Sequence, residues 1–160
     1  MEPRIEAITE KKLVGKHLRV TLSNNKISEL WHSFMPRRKE IRNIKSPELF
    51  SVAIYENGTD IKNFTKDTEF ERWAAMEVAK FDTIPTDMES YIIAGGLYAV
   101  FLHKGPASSG PKTFQHIFET WLPESGYIFD DRPQFEVLGD KYKNEDPDSE
   151  EEIWIPIKHK

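Results

Sequence analysis

One acidic residue stands out because it lies within a strand-like run instead of a charged loop. Glu136 is the central residue of QFEVL at 134–138, and successive side chains of a strand point to opposite faces. A carboxylate that faces a pocket is partly desolvated, which raises its pKa unless a cation or hydrogen-bond donors compensate. Such a group is a natural partner for a cationic ligand. The alternation alone equally allows Glu136 to face solvent, so both orientations stay open here.

Aromatic side chains could supply flat walls for flat ligands. Trp73 and Trp154 occupy equivalent strand-like runs in the two halves of the chain, and we expect them to line opposite walls of a cleft. The face of a tryptophan ring also attracts cations. Trp31, Phe118 and Trp121 lie on the apolar faces of predicted helices. Packing in the core explains Trp31 and Trp121 at least as well as ligand contact does.

Several common kinds of site are disfavoured. The chain has no cysteine, which excludes disulfides, thiolate metal sites and a thiol nucleophile. Its five histidines show no metal-ligand spacing. The loop GPASSGPK at 105–112 approaches the phosphate-binding pattern, but Pro111 displaces the lysine and has no N–H, so it fits a helix start better. We therefore expect no metal and no cofactor.

Length and charge limit the partners. A chain of 160 residues suits one domain with a hydrophobic core. The net charge of -5 provides no cationic field that would attract nucleic acid or an anionic membrane. The first residues lack a secretion signal, no stretch is long enough to span a bilayer, and no helix-turn-helix pattern precedes the domain. We expect a stand-alone cytoplasmic protein that binds neither DNA nor membranes.

The second half of the chain repeats the pattern of the first. VGKHLRVTL at 14–22 matches AGGLYAVFL at 94–102, and each run is followed by an apolar helix pattern and two strand-like runs. Each half therefore predicts strand, helix, strand, strand. The predicted fold is α+β: the two units join edge to edge, and their antiparallel sheets face each other across a central ligand cleft on a pseudo-two-fold axis. We expect one domain over 1–160 that consists of two duplicated βαββ units, the pseudo-repeats 1–80 and 90–160.

Four motifs in the second half resemble the GyrI-like family of small-molecule-binding domains. They are YAVF-x-HKGP at 98–106, WLPESGY at 121–127, RPQFE at 132–136 and IWIPI at 153–157. The family includes the effector-binding domains of AraC-type and other multidrug-responsive bacterial regulators, and also free-standing proteins. The resemblance implies the duplicated βαββ fold, a cleft for planar, hydrophobic and often cationic molecules, and an acidic residue, Glu136, at the base of that cleft.

The chain departs from the family at three positions where tyrosine is common. It has Trp73, Leu138 and Trp154 there, so any role of those phenol hydroxyls does not carry over.

The first hypothesis is a small-molecule-binding protein that captures hydrophobic, planar and in some cases cationic xenobiotics, for sequestration or sensing. The expected ligand contacts are Glu136, Trp73, Trp154, Tyr98, Phe118, Trp121 and Trp31.

The alternative is an enzyme that uses the same cleft. Some free-standing proteins that this chain resembles hydrolyse cyclopropane-bearing DNA-alkylating compounds. In such a reaction Glu136 would orient or deprotonate a water, and the hydroxyl of Tyr98 or Tyr55 would polarise a carbonyl. A third hypothesis is inhibition of a topoisomerase by protein contact, with the acidic run DPDSEEE at 146–152 as a mimic of DNA. The same run is most simply a solvated turn before the last strand.

Overall fold

The structure, a computed structural model, describes residues 1–56 and 63–160. The strands are β1 (Arg4–Ile8), β2 (Lys11–Val20), β3 (Leu49–Ile54), β4 (Phe70–Val78), β5 (Glu89–Ile93), β6 (Gly96–Lys104), β7 (Tyr127–Phe129), β8 (Gln134–Leu138) and β9 (Glu150–His159). The helices are α1 (Ile27–Phe34), followed by a 3-10 turn (Met35–Glu40), and α2 (Gly110–His116), which continues through a π-helical turn (Ile117–Trp121) and a last turn (Leu122–Glu124). Residues 110–124 are called the second helical segment below.

The described strands form one antiparallel sheet of nine strands. Its order is β1-β6-β9-β8-β3-β4-β2-β5, and β7 pairs with β9. The α+β class is confirmed. β3 and β8 pair directly, with Ser51 opposite Glu136, so the two halves join edge to edge as expected, but they form one sheet instead of two facing sheets. The order β2-β4-β3 in the first half mirrors β6-β9-β8 in the second. Duplication of one βαββ unit stays a prediction.

Three strands were not predicted. β1, β5 and β7 are short, and the first two lie at the ends of the strand order. Strands at an edge are half solvated and carry mixed polar and apolar residues, so their alternation gives a weak signal.

Both helices cover the same face of the sheet. Leu30 and Phe34 of α1 pack on Ala74 and Met76 of β4 in one buried cluster. In another cluster, Ile117 of the second helical segment packs on the alternate isoleucines of β9. Ser51 is directly opposite Ala74, and Glu136 is directly opposite Ile153. Directly opposed residues of neighbouring strands point to the same face of the sheet, so Ser51 and Glu136 lie on this helix-bearing face.

The opposite face of the sheet carries its own aromatic core. Phe50, Trp73, Tyr98, Phe135 and Trp154 are buried there together. The ring centroids of Phe135 and Trp154 stack 5.2 Å apart. The most aromatic part of the chain is therefore used for packing on the face without helices. None of the helices in the described part of the chain is long and apolar enough to cross a membrane.

Candidate functional site

A cleft of about 1140 Å³ opens on the helix-bearing face, between α1 and the second helical segment. This volume is sufficient for a drug-sized molecule. Strands β3, β4 and β8 form the floor, through Leu49, Ser51, Ala53, Phe70, Arg72, Gln134, Glu136 and Leu138. The walls come from the helices and from flanking loops, through Ile27, Trp31, Met35, Phe64, Phe114, Phe118 and Tyr142. Apolar walls thus surround a floor that holds charged and polar groups.

Two glutamates meet at this floor. Glu136 on β8 is paired with Ile153 of β9, and Glu151 lies two residues before Ile153, on the same face. Glu151 is only 7% exposed. Its burial, then the charge of Glu136 and a hydrogen bond between the two carboxyl groups, raise the pKa of Glu151 to about 8, and Arg72 opposes this rise. At neutral pH Glu151 therefore keeps its proton and can donate it in the hydrogen bond to Glu136.

Arg72 brings a positive charge to the same floor. Its Nη2 donates a hydrogen bond of 2.6 Å to Oγ of Ser51, which is itself 5% exposed. Among the described residues, no carboxylate forms a direct ion pair with Arg72. The guanidinium is held beside the acid pair by a hydroxyl, so its charge stays available to the contents of the cleft.

Two tyrosines add neutral hydroxyl groups. Burial raises the pKa of Tyr55 to about 12, with a further contribution from Glu136 and an opposing one from Arg72. Burial and the charges of Glu151 and Glu136 also raise the pKa of Tyr142. Both phenols therefore stay protonated at neutral pH and can donate hydrogen bonds in the cleft. Within the described ranges, no group of three or more His, Cys, Asp or Glu residues is arranged to hold a metal ion.

Four of the residues singled out from the sequence line this cleft. They are Glu136 on the floor, Tyr55 just after β3, Trp31 on α1 and Phe118 on the second helical segment. The structure brings them together from both halves of the chain. Their contact with a ligand stays a prediction.

The expectation that Trp73, Trp154 and Tyr98 face the cleft is wrong. Trp73 is paired with Val52, and Trp154 is paired with Phe135. Val52 and Phe135 are each one residue away from the floor residues Ser51 and Glu136, and side chains one residue apart on a strand point to opposite faces. The three rings are 3%, 7% and 0% exposed in that core. The hydroxyl of Tyr98 donates to the carbonyl oxygen of Pro133 at 2.9 Å, so it is not available for catalysis.

Trp121 also lies outside the cleft lining. Its ring packs edge-on against Phe101, with centroids 5.2 Å apart, and is near-parallel to the ring of Tyr127 at 6.3 Å. It belongs to the buried cluster beneath the second helical segment. The core interpretation of this tryptophan is therefore the one that its contacts support.

Sequence reasoning missed Arg72, Ser51 and Glu151. The interpretation of 146–152 as a solvated turn is wrong for its last residues, because β9 already begins at Glu150. A period-two signal was present: Glu151 is in phase with the buried Ile153, Ile155 and Ile157. Its phase would have placed Glu151 on the helix-bearing face.

Comparison with known proteins identifies the family. A family model described as a GyrI-like small molecule binding domain matches residues 1–158. The chain belongs to the GyrI-like family. The resemblance carried by the four motifs is thereby confirmed, and the match extends over the first half, where the motifs are sparse.

A GyrI-like relative is the transcriptional regulator BrlR of Pseudomonas aeruginosa strain PAO1, which is 29% identical over 160 residues. The match covers 98% of this chain and 56% of BrlR. The chain thus spans little more than half the length of this regulator.

Two solved structures show the same fold. SAV2435 bound to tetraphenylphosphonium matches with a TM-score of 0.73 and 16% identity, over 99% of this chain and 94% of that one. A hydrolase encoded by lin2189 from Listeria innocua matches with a TM-score of 0.62 and 14% identity, over 98% and 92%. At such identities the likeness shows the GyrI-like fold alone.

Proposed function

We propose that this GyrI-like protein captures planar, hydrophobic cations in its cleft and thereby sequesters or senses them. The observation that carries the proposal is the pair of Glu136 and Glu151, which lie hydrogen-bonded to each other on the cleft floor between apolar walls. A lipophilic cation loses little solvation on entering an apolar cleft, and its charge is attracted by a carboxylate that is poorly screened there.

The aromatic walls suit the same class of ligand. Trp31 and Phe118 face the cleft from the two helical segments, and Phe64 and Phe70 lie near its floor. Burial of flat apolar surface contributes about 25 cal/mol per Å², and ring faces attract cations. That SAV2435 binds tetraphenylphosphonium supports a lipophilic aromatic cation as the ligand, and the planar shape is suggested by the flat walls alone.

Calorimetric titration with tetraphenylphosphonium and with a planar cationic dye tests the proposal. We expect saturable binding that Glu136→Gln weakens about ten- to hundredfold, because roughly 1.4–2.8 kcal/mol of charge attraction is lost. Glu152→Gln is the matched control, since Glu152 is the neighbour of Glu151 but bonds Arg4 at 2.9 Å outside the cleft. Absence of binding, or equal affinity of wild type and Glu136→Gln, would contradict the proposal.

Hydrolysis in the same cleft is a second candidate, favoured by the neutral phenol of Tyr55 near the acid pair. Glu136 would orient or deprotonate a water, and Tyr55 would donate a hydrogen bond to the carbonyl whose conjugation activates a cyclopropane ring. Tyr98 leaves this scheme because its hydroxyl is engaged on the opposite face. The fold shared with the lin2189 hydrolase is compatible with such chemistry.

Mass spectrometry distinguishes the two candidates for any cyclopropane-bearing compound that binds. Catalysis requires a ring-opened product that gains one water with wild type and is absent with Glu136→Gln. Return of the intact compound after long incubation leaves capture as the function for that compound. Inhibition of a topoisomerase has no structural observation in its favour, since Glu151 of the acidic run is buried on the cleft floor.

A further inference from the structure

Two buried polar atoms at the cleft floor have no hydrogen-bond partner among the described residues. They are Nε of Arg72 and Oε1 of Gln134. A buried donor or acceptor without a partner is destabilising, so native proteins satisfy such groups with protein, water or ligand atoms. Both side chains line the cleft. A group that enters the cleft beside these side chains can supply the missing partners.

The two side chains frame a recess above a small residue. Ala53 of β3 is paired with Arg72 of β4 on one side and with Gln134 of β8 on the other. All three share the helix-bearing face, and the Cα atoms of Arg72 and Gln134 lie about 10 Å apart, two strand spacings. The side chain of Ala53, a methyl group that is 3% exposed and packs with Phe70, occupies little of the space between the two long side chains. We call this space the Ala53 recess.

The unpaired atoms are complementary in type. Nε of Arg72 can only donate a hydrogen bond, and Oε1 of Gln134 can only accept one. A carboxamide has one acceptor oxygen and, when it is primary or secondary, an N–H donor on the nitrogen bonded to the same carbon. A single such group can therefore form hydrogen bonds with both unpaired atoms. A hydrophobic cation without polar groups can form a hydrogen bond with neither of them.

The recess also lies at a defined distance from the acid pair. Gln134 and Glu136 are two residues apart on β8 and point to the same face, which separates their Cα atoms by about 7 Å. One drug-sized ligand can therefore reach both places.

We propose that the Ala53 recess binds a carboxamide group of the ligand, whose oxygen accepts from Nε of Arg72 and whose N–H donates to Oε1 of Gln134. The inference deepens the proposed function, because the cationic part of the same ligand rests on Glu136 and Glu151. The natural ligand is then an aromatic cation that carries an amide about 7 Å from its charge. Arg72 selects this class, since its own positive charge repels cations that have no acceptor to offer it.

Three probes distinguish binding of the cation from binding of the carboxamide in calorimetric titrations. They are an N-methylquinolinium cation, a neutral quinoline carboxamide, and the N-methylquinolinium that carries the same carboxamide. With wild type we expect the amide-bearing cation to bind about tenfold tighter than the plain cation, as two net hydrogen bonds contribute on the order of 1–2 kcal/mol.

Substitutions in the recess should change the tenfold gain from the amide and the affinity for the plain cation by different factors. Arg72→Met is expected to abolish the tenfold gain and to tighten the plain cation several-fold, because a repelling charge is removed. Gln134→Leu keeps the charge of Arg72 and should reduce the gain by a larger factor than it changes the affinity for the plain cation. Arg4→Met is the matched control, since Arg4 lies over the ring of Trp154 outside the cleft.

The outcomes distinguish this inference from the proposed function. Persistence of the amide gain in both Arg72→Met and Gln134→Leu overturns the recess. Failure of the plain cation to bind wild type, with the neutral carboxamide bound in a manner that depends on Gln134, overturns cation capture and supports the recess. Failure of all three probes overturns both. Thermal melts check that each variant is folded, and Gln134→Leu decides alone if Arg72→Met is not.

Discussion

Glu136 on β8 and Glu151 on β9 lie on one face of the sheet, and their carboxyl groups are joined by a hydrogen bond at the floor of the cleft. Such a pair is a store for one proton, which a bound cation can displace. Ligand binding and proton release are therefore linked, and the two processes can be measured separately.

Cation affinity should rise with pH up to about 8. The pKa of Glu151 is raised to about 8, so as pH rises toward that value Glu151 loses its proton and adds a negative charge that favours the bound cation. The affinity of wild type for tetraphenylphosphonium should increase by up to about tenfold per pH unit between pH 6 and 8 and then level off. Glu151→Gln, which mimics the protonated acid, should bind with the same affinity across this range. Calorimetry in two buffers of different ionisation enthalpy reports the released proton, and a flat profile for wild type would contradict the linkage.

Folding stability should fall as pH rises from about 4.5 to about 8. The pKa of Glu151 in the folded state, about 8, lies above its ordinary value of 4.5, so the folded state binds the proton more tightly than the unfolded state. The resulting stability is present below pH 4.5 and is lost as pH rises to about 8.

Glu151→Gln lacks this loss. At pH 8.5 we expect its Tm to exceed that of wild type by roughly 3–6 °C, or about 1–2 kcal/mol, with the difference gone at pH 5. Differential scanning fluorimetry across pH measures it. A pH-independent difference would mean that the carboxyl pair does not titrate as described.

Ligand-induced changes of tryptophan fluorescence should come mainly from Trp31. It is a cleft residue, whereas Trp73, Trp121 and Trp154 lie outside the lining. Trp31→Phe should remove more than about half of the quenching by a bound aromatic cation, because quenching falls steeply with distance while the other rings stay buried in their clusters. Trp73→Phe is the comparison and should quench like wild type. Equal loss in the two variants would place the ligand elsewhere.

The close approach of β2 to β4 should tolerate no side chain at Gly15. A Cβ atom there would lie 2.1 Å from the carbonyl oxygen of Ala74 and 2.6 Å from Cα of Ala75. Both are backbone atoms that cannot move aside, so we expect Gly15→Ala to cost about 3 kcal/mol or more. Urea unfolding measures the cost. Gly126→Ala is the control, because no described atom lies within 4 Å of a Cβ at that position, and a similar cost in both variants would contradict this account.

Local sequence patterns determined much of this molecule. The apolar spacing around Trp31 predicts α1, the alternation around Glu136 predicts β8, and the motifs from Tyr98 to Ile157 indicate the family. These features can be predicted from sequence because the periodicity of a helix or a strand depends only on residues that are close along the chain. They singled out Glu136, Trp31 and Phe118 as ligand contacts and Tyr55 for the hydrolase alternative.

Only the tertiary structure decided which residues share the cleft. Ser51, Arg72, Glu136 and Glu151 come from four strands and meet through the registers of β3 with β4, β3 with β8, and β8 with β9. A register is a relation between distant segments, and a step of one residue moves a side chain through the sheet. For that reason aromatic strand residues such as Trp73 were assigned to the wrong face, and Glu151, which follows a run of acidic residues, was taken for part of a turn.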